Sequence, residues 1–268
     1  MRLSALGAAA ATLLALVVVP VGIAHADGPC PRPTAGTMPV NTPPTTAFFN
    51  SNFYKGDLQK YAFMLGPDPL PAGPVGDFAK GYQRFGDQAK PPMTEDQFIK
   101  TFVRYNEKTP PQPVRWDYPS DDGFDLKDGK PDRHRITLTP GMKLDRFGYS
   151  EGRFLAPRGA AFNLRALPPQ ALNTPSGYEP DYEGNINVSN AIIPPNNYHV
   201  YCVQNAFDVD AGPIRPWFNQ AGLTTQYVLN NYVAPKPDKT NNNVRWLTGN
   251  GPNGSTGTSK PYLVELAP

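Results

Sequence analysis

The chain has 268 residues, with 25 basic and 23 acidic side chains, a formal charge of +2 and 18% charged residues overall. A balance this even excludes a polyanion binder, because nucleic-acid proteins carry a strong, clustered basic excess. Any anion bound here is expected to be small, and neither nucleic acid nor a membrane is expected as a partner.

Residues 1–26 begin Met1-Arg2, continue as an apolar run and end Ala24-His25-Ala26, the small-x-small pattern cut by a signal peptidase. They read as a secretory signal peptide, which predicts a secreted mature chain starting near Asp27. Loss of Arg2 leaves 24 basic and 23 acidic residues, a charge of +1. No later run approaches the roughly 20 apolar residues of a spanning helix. Cys30 and Cys202 are the two cysteines. In an oxidising compartment an even count favours a disulfide between them, with two unpaired buried thiols as the alternative.

From Asp27 to about Thr46 the chain is proline-rich and polar, an extended arm that needs tying down. Thr94 and Gln97 form a capping box, and Phe98, Ile99, Phe102 and Tyr105 follow at helical spacing, predicting a helix over Glu95 to Asn106. The prolines of Lys108 to Pro113 end it. From about Ile136 the texture changes to short alternating runs, RITL, NYHVYCV, TTQYVL and PYLVEL, separated by Gly, Pro and Asn. These read as strands, and GNGPNGSTGTSKP before the last of them reads as a hairpin loop. The expected fold class is therefore α+β, with a smaller, mainly helical region over 27–130 and a β-rich domain over 131–268.

Among chemical motifs, G-x-S-x-G, H-E-x-x-H, the P-loop and G-x-G-x-x-G are all absent. His25 leaves with the leader, so only His134 and His199 remain, which disfavours a histidine-rich zinc site and a serine triad. Asp117, Asp121, Asp122, Asp125 and Asp128 cluster in sequence and invite calcium, but their spacing does not match a twelve-residue loop ending in Glu; a solvated turn is the alternative. Between Leu144 and Leu172, Arg146-Phe147 and Arg153-Phe154 recur seven residues apart, with Gly148 and Gly152 between them. Arginine forks suit phosphate oxygens and aromatic faces suit flat rings, the two things a nucleotide presents. Core phenylalanines with surface arginines remain the alternative on composition.

The ordered segments DRFG (145–148), GRFLAP (152–157), RALPP (165–169), YHVY (198–201), GPIRPWFNQAG (212–222) and TQYVL (225–229) resemble the tuberculosis necrotizing toxin family of NAD glycohydrolases over about 140–268. The upstream RWDYPSDDGF and the leader resemble secreted actinobacterial and fungal surface NADases, in which a thumb-like region precedes that domain. The resemblance implies hydrolysis of NAD, with NADP a second substrate, to nicotinamide and ADP-ribose, with no cofactor required. It places the catalytic glutamine at Gln226, the diphosphate and ribose contacts at Arg146 and Arg165, and a substrate-packing aromatic at Phe147. His199 falls where toxin-like members carry a histidine and ranks lower.

The fungal enzymes of this group bind calcium near their C-terminus through acidic residues; Thr240 to Lys260 here has none, which disfavours calcium dependence and leaves it open. An ADP-ribosyltransferase is the rival reading, disfavoured because GLTTQYVLN contains no acid to activate an acceptor. A non-catalytic secreted module for a sugar phosphate or other anion is another. A homodimer is left open.

Overall fold

The computed structural model describes residue 30 and residues 74–105, 114–148, 152–172, 198–229, 244–248 and 261–266. The leader, the body of the proline-rich arm, the prolines at 108–113 and most of the predicted hairpin loop at 249–261 lie outside the described residues.

Two short helices come first, α1 (Pro74–Phe78) and α2 (Glu95–Phe102). Both halves of the predicted capping box are formed at α2: the Gln97 N–H donates to Thr94 Oγ1, and the Thr94 N–H donates to Gln97 Oε1. The helix ends four residues earlier than its periodicity suggests. Val103 turns to extended backbone (φ −110°, ψ 136°), and β1 (Val103–Tyr105) pairs with β2 (Val114–Trp116). The β-favouring Val103 and Tyr105 thus serve a strand rather than a fourth helical turn. The apolar face of α2 enters an aromatic cluster in which Phe98, Trp116 and Phe218 are buried. Because Phe218 belongs to the C-terminal half, this cluster ties α2 to the main sheet.

After β2 a one-turn 3₁₀ segment (Asp121–Gly123) leads into the small hairpin β3 (Leu126–Lys127) and β4 (Lys130–Pro131). The remaining strands are β5 (His134–Leu138), β6 (Lys143–Phe147), β7 (Phe154–Pro157), β8 (Tyr198–Val203), β9 (Phe207–Pro213), β10 (Thr225–Val228) and β11 (Leu263–Leu266), with α3 (Val244–Leu247) before the last. These seven strands form one antiparallel sheet in the order β11-β8-β6-β7-β10-β9-β5. All four predicted strand runs are in it, and the class is α+β with a β-rich C-terminal part. Strand β8 is buried at every position, as its sequence of Tyr, Val and Cys requires. One core lies around Leu144, Tyr201, Val209, Tyr227 and Leu263; a second lies around Phe147, Phe162 and Tyr198.

Cys30 and Cys202 form a disulfide with a Cα–Cα separation of 5.6 Å, so the expected pairing is present. It fastens residue 30 to β8. No helix among the described residues is long and apolar enough to cross a membrane.

Candidate active site

A cleft of about 870 Å³ opens over the middle of the sheet, between β6, β7 and β10 on one side and residues 118–123 on the other. That volume lies within the roughly 300–1,000 Å³ range of small-molecule and cofactor sites. Arg146, Phe147, Arg165 and Gln226, far apart in sequence, all line it. His199 is 2% exposed, with Nδ1 2.6 Å from Glu265 Oε1 on the neighbouring edge strand β11, and is not part of the lining.

Strand β6 supplies the floor. Asp145 is fully buried, and its carboxylate is held from four directions. Arg165 Nη1 lies 2.6 Å from Oδ1; Oδ2 accepts from Arg165 Nη2 (2.8 Å), the Tyr198 hydroxyl (2.8 Å) and the Gly159 N–H (2.9 Å). Arg165 also donates from Nε to the Ala160 carbonyl (2.9 Å), and its guanidinium covers the Phe147 ring at 5.0 Å. A buried ion pair of this kind is tolerated because each charge is matched by a fork and by further hydrogen bonds. Burial, and then the adjacent Asp145 charge, push the Tyr198 phenol well above its ordinary value, so it remains the donor.

Phe147 is correspondingly enclosed. It is 4% exposed and touches Phe162, Tyr198 and Arg165 as well as the cleft.

Arg146 leaves β6 in the opposite sense and is half-buried, with Nη1 donating to the Phe154 carbonyl at 2.8 Å. Its path runs close over a glycine: a Cβ on Gly152 would lie 1.7 Å from Arg146 Nη2, so a side chain there would displace the guanidinium. On the same rim Arg153 reaches across the cleft to the Asp122 carboxylate.

Gln226, 6% exposed, lies on β10 opposite Gly212 of β9. Its Nε2 donates to the backbone carbonyl of Asp122 at 3.0 Å. With Nε2 so engaged, Oε1 is the acceptor end left for a bound molecule. The fold thus brings the backbone of Asp122 to Gln226 from 104 residues away, while the Asp122 carboxylate is engaged by Arg153 and Arg133.

The segment carrying Asp122 is conformationally unusual. Asp121, Asp122 and Gly123 are successive left-handed residues, with φ of 57°, 57° and 73°. Left-handed backbone costs roughly 1–2 kcal/mol at a residue bearing a side chain, less at Asp, and nothing of the kind at Gly. Four contacts hold the turn: the Gly123 N–H to the Ser120 carbonyl (3.0 Å), the Arg215 N–H to the Gly123 carbonyl (2.8 Å), Arg153 on one Asp122 oxygen, and Arg133 on the other (3.4 Å). The acidic run that suggested calcium is therefore largely taken up by arginines. Asp117 pairs with Arg104 at 2.6 Å, Asp121 lies 3.6 Å from Arg215, and Asp122 pairs with Arg153 and Arg133. Among the described residues no cluster of three potential metal ligands is formed.

Four arginines and three aspartates line the cleft, Arg146, Arg153, Arg165 and Arg215 against Asp121, Asp122 and Asp145. The net charge of +1 suits a small anion, in keeping with the balanced composition. Tyr118, 60% exposed, stands at the mouth with its ring edge-on to Phe218.

Residues 137–252 match the family model described as tuberculosis necrotizing toxin. This stretch belongs to that family. The chain is also 37% identical over 183 residues to the conidial surface nicotinamide adenine dinucleotide glycohydrolase of Aspergillus fumigatus, covering 68% of this chain and 66% of that protein, just under two thirds of its length. Among solved structures, the tuberculosis necrotizing toxin complexed with its immunity factor is similar at 21% identity and a TM-score of 0.36, over 53% of this chain and 64% of that one. The toxin-family stretch contains Arg146, Phe147, Arg165 and Gln226 but ends short of the opposite wall. Tyr118, Asp121 and Asp122 lie upstream of residue 137, so the cleft is completed by residues outside the matched region.

Sequence reasoning missed Asp122 and Arg215 as members of the site, while Arg153, read with Phe154 as part of a nucleotide-suited pattern, does line it. The run SDDGF did carry a usable cue, since Gly and Asp are residue types that tolerate left-handed backbone.

Proposed function

We propose that the protein is an NAD glycohydrolase that splits NAD into nicotinamide and ADP-ribose, with NADP as a second substrate. The observation that carries the reading is Gln226: its amide is anchored through Nε2, so Oε1 is presented into an arginine-lined cleft, on a chain whose C-terminal half is of the toxin family. Nicotinamide on ribose is a cationic leaving group that departs neutral, so bond breaking needs no strong acid. What it needs is stabilisation of an oxocarbenium-like ribose and an oriented water. Gln226 Oε1 accepts from a ribose hydroxyl or from that water. Arg146, on the open rim, takes the diphosphate, and binding there aligns the glycosidic carbon with Gln226.

Arg165 acts differently from Arg146. With three of its N–H groups already engaged by Asp145 and Ala160, it contributes its remaining donors and its charge from the floor, while Phe147 supports it from below. The same proposal includes secretion directed by residues 1–26, in line with the surface location named for the fungal relative, and a division near residue 130 into a thumb-like region and the catalytic domain.

Incubation with NAD, followed by chromatography for nicotinamide and ADP-ribose, tests the reading. Gln226→Ala is expected to lower turnover by about a hundredfold or more, as loss of a preorganised transition-state contact does, with its melting temperature close to wild type. ADP-ribose fixed to added protein would move the chain to the transferase class. Absence of nicotinamide release would leave a binding module.

A further inference from the structure

We infer that the left-handed turn Asp121-Asp122-Gly123 is a positioning device for Gln226, and that Asp122 is a positioning residue for the reaction. The inference rests on the hydrolase reading above for its kinetic consequence, though not for the geometry. Three observations meet at this turn. The first is the conformation, three successive residues at positive φ of which two are not glycine. Rare backbone of this kind persists only where its surroundings over-determine it, and it gathers at functional sites.

The second is the bond it makes. The Asp122 carbonyl receives the Gln226 amide at 3.0 Å, and a Cβ on Gly123 would stand 3.9 Å from the same Nε2. The peptide and the amide are therefore packed together as well as bonded. The carbonyl accepts only the NH₂ end of Gln226, so it excludes the flipped amide, which would set oxygen against oxygen and turn a donor toward the substrate.

The third is the clamp. Arg153 and Arg133 take the two oxygens of the Asp122 side chain, and Arg215 donates its N–H to the Gly123 carbonyl. Arg153 also lies over Phe154 at 5.2 Å on the opposite rim. The turn thus closes an arc from β7 across the cleft to β10, and its sense follows from the side chain: an aspartate both tolerates left-handed backbone and offers the carboxylate that holds it there.

The test is a series at one position. Asp122→Ala removes both the carboxylate and the tolerance of left-handed backbone, Asp122→Gly keeps only the tolerance, and Asp122→Asn keeps the tolerance and an acceptor oxygen. With NAD as substrate, kcat is expected to rank Asn above Gly above Ala, Ala falling roughly ten- to hundredfold, as small misplacements of a reacting group do, while KM stays within about twofold.

A second readout needs no activity. In ¹H–¹⁵N spectra the Gln226 side-chain NH₂ pair, assigned by its loss in Gln226→Ala, should shift in Asp122→Ala and keep its position in Asp122→Asn. A folded Asp122→Ala protein with unchanged kcat, or with the Gln226 amide unshifted, overturns the inference. A wild-type protein that releases no nicotinamide would instead refute the hydrolase reading, and the amide shifts would still decide whether the turn positions Gln226.

Discussion

Arg165 meets Asp145 where the two side chains are 4% and 0% exposed, whereas Arg153 meets Asp122 at 35% and 24% exposed. Both pairs face one cleft, but they are different instruments. The first is closed on every side by Tyr198, Gly159 and Ala160 and sits on a strand in the middle of the sheet. The second bridges two rims through solvent-reached atoms and holds a backbone turn in a conformation it would not keep alone. The contrast teaches that charge inventory does not assign role: four arginines line the cleft, and the one deepest in the protein is the one most committed to the fold.

The largest expected effect is on the closed pair. Arg165→Ala leaves the Asp145 carboxylate buried and uncompensated, which should cost about 3–5 kcal/mol of stability, read as a lowered denaturant midpoint. An unchanged midpoint would show that this pair is no more structural than its counterpart. Next comes the disulfide, which braces the closed side through Cys202 on β8, three residues after His199 and four after Tyr198. Reduction should cost about 2–5 kcal/mol, and two alkylatable thiols in the native protein would remove the claim.

A smaller effect is expected from pH. Because the folded state holds the Tyr198 proton more tightly than the unfolded chain does, its contribution is fully present below the unfolded value near 10 and is lost as pH rises through the raised folded value. Wild type should therefore lose stability above about pH 10 more steeply than Tyr198→Phe, in paired chemical melts; parallel curves would place the alkaline loss elsewhere, Tyr118 and Tyr227 being the other phenols raised by desolvation. The smallest stability change belongs to the open pair. Arg153→Ala should cost under about 1 kcal/mol, as expected for a solvent-screened pair, yet lower kcat; a loss of stability matching Arg165→Ala would abolish the distinction.

Much of the molecule was legible before its structure. The α2 start was readable because a capping box is local chemistry, complete within four residues. The strands at 134–138, 198–203, 225–228 and 263–266 were readable because half-buried strands announce themselves by alternation or by continuous apolar runs. The end of α2 was not, since Val103 and Tyr105 suit a helix face and a strand equally, and it is pairing with Val114 and Trp116 that selects the strand. Arg146, Arg165 and Gln226 were singled out through family resemblance, but the sharing of Arg165 with Asp145 was invisible, because the two lie 20 residues apart on elements that meet only through the sheet.

What the sequence by itself determined is whatever depends on near neighbours or on counting: one helix start, four strand runs, the single pairing open to two cysteines, and a charge balance fit for a small anion. Only the tertiary structure decided that the Asp-Asp-Gly of 121–123 is a wall of the cleft. The physical reason is that the buried Gln226 amide needs an acceptor, and the Asp122 carbonyl that serves it lies 104 residues away in the chain and reaches it only through the fold.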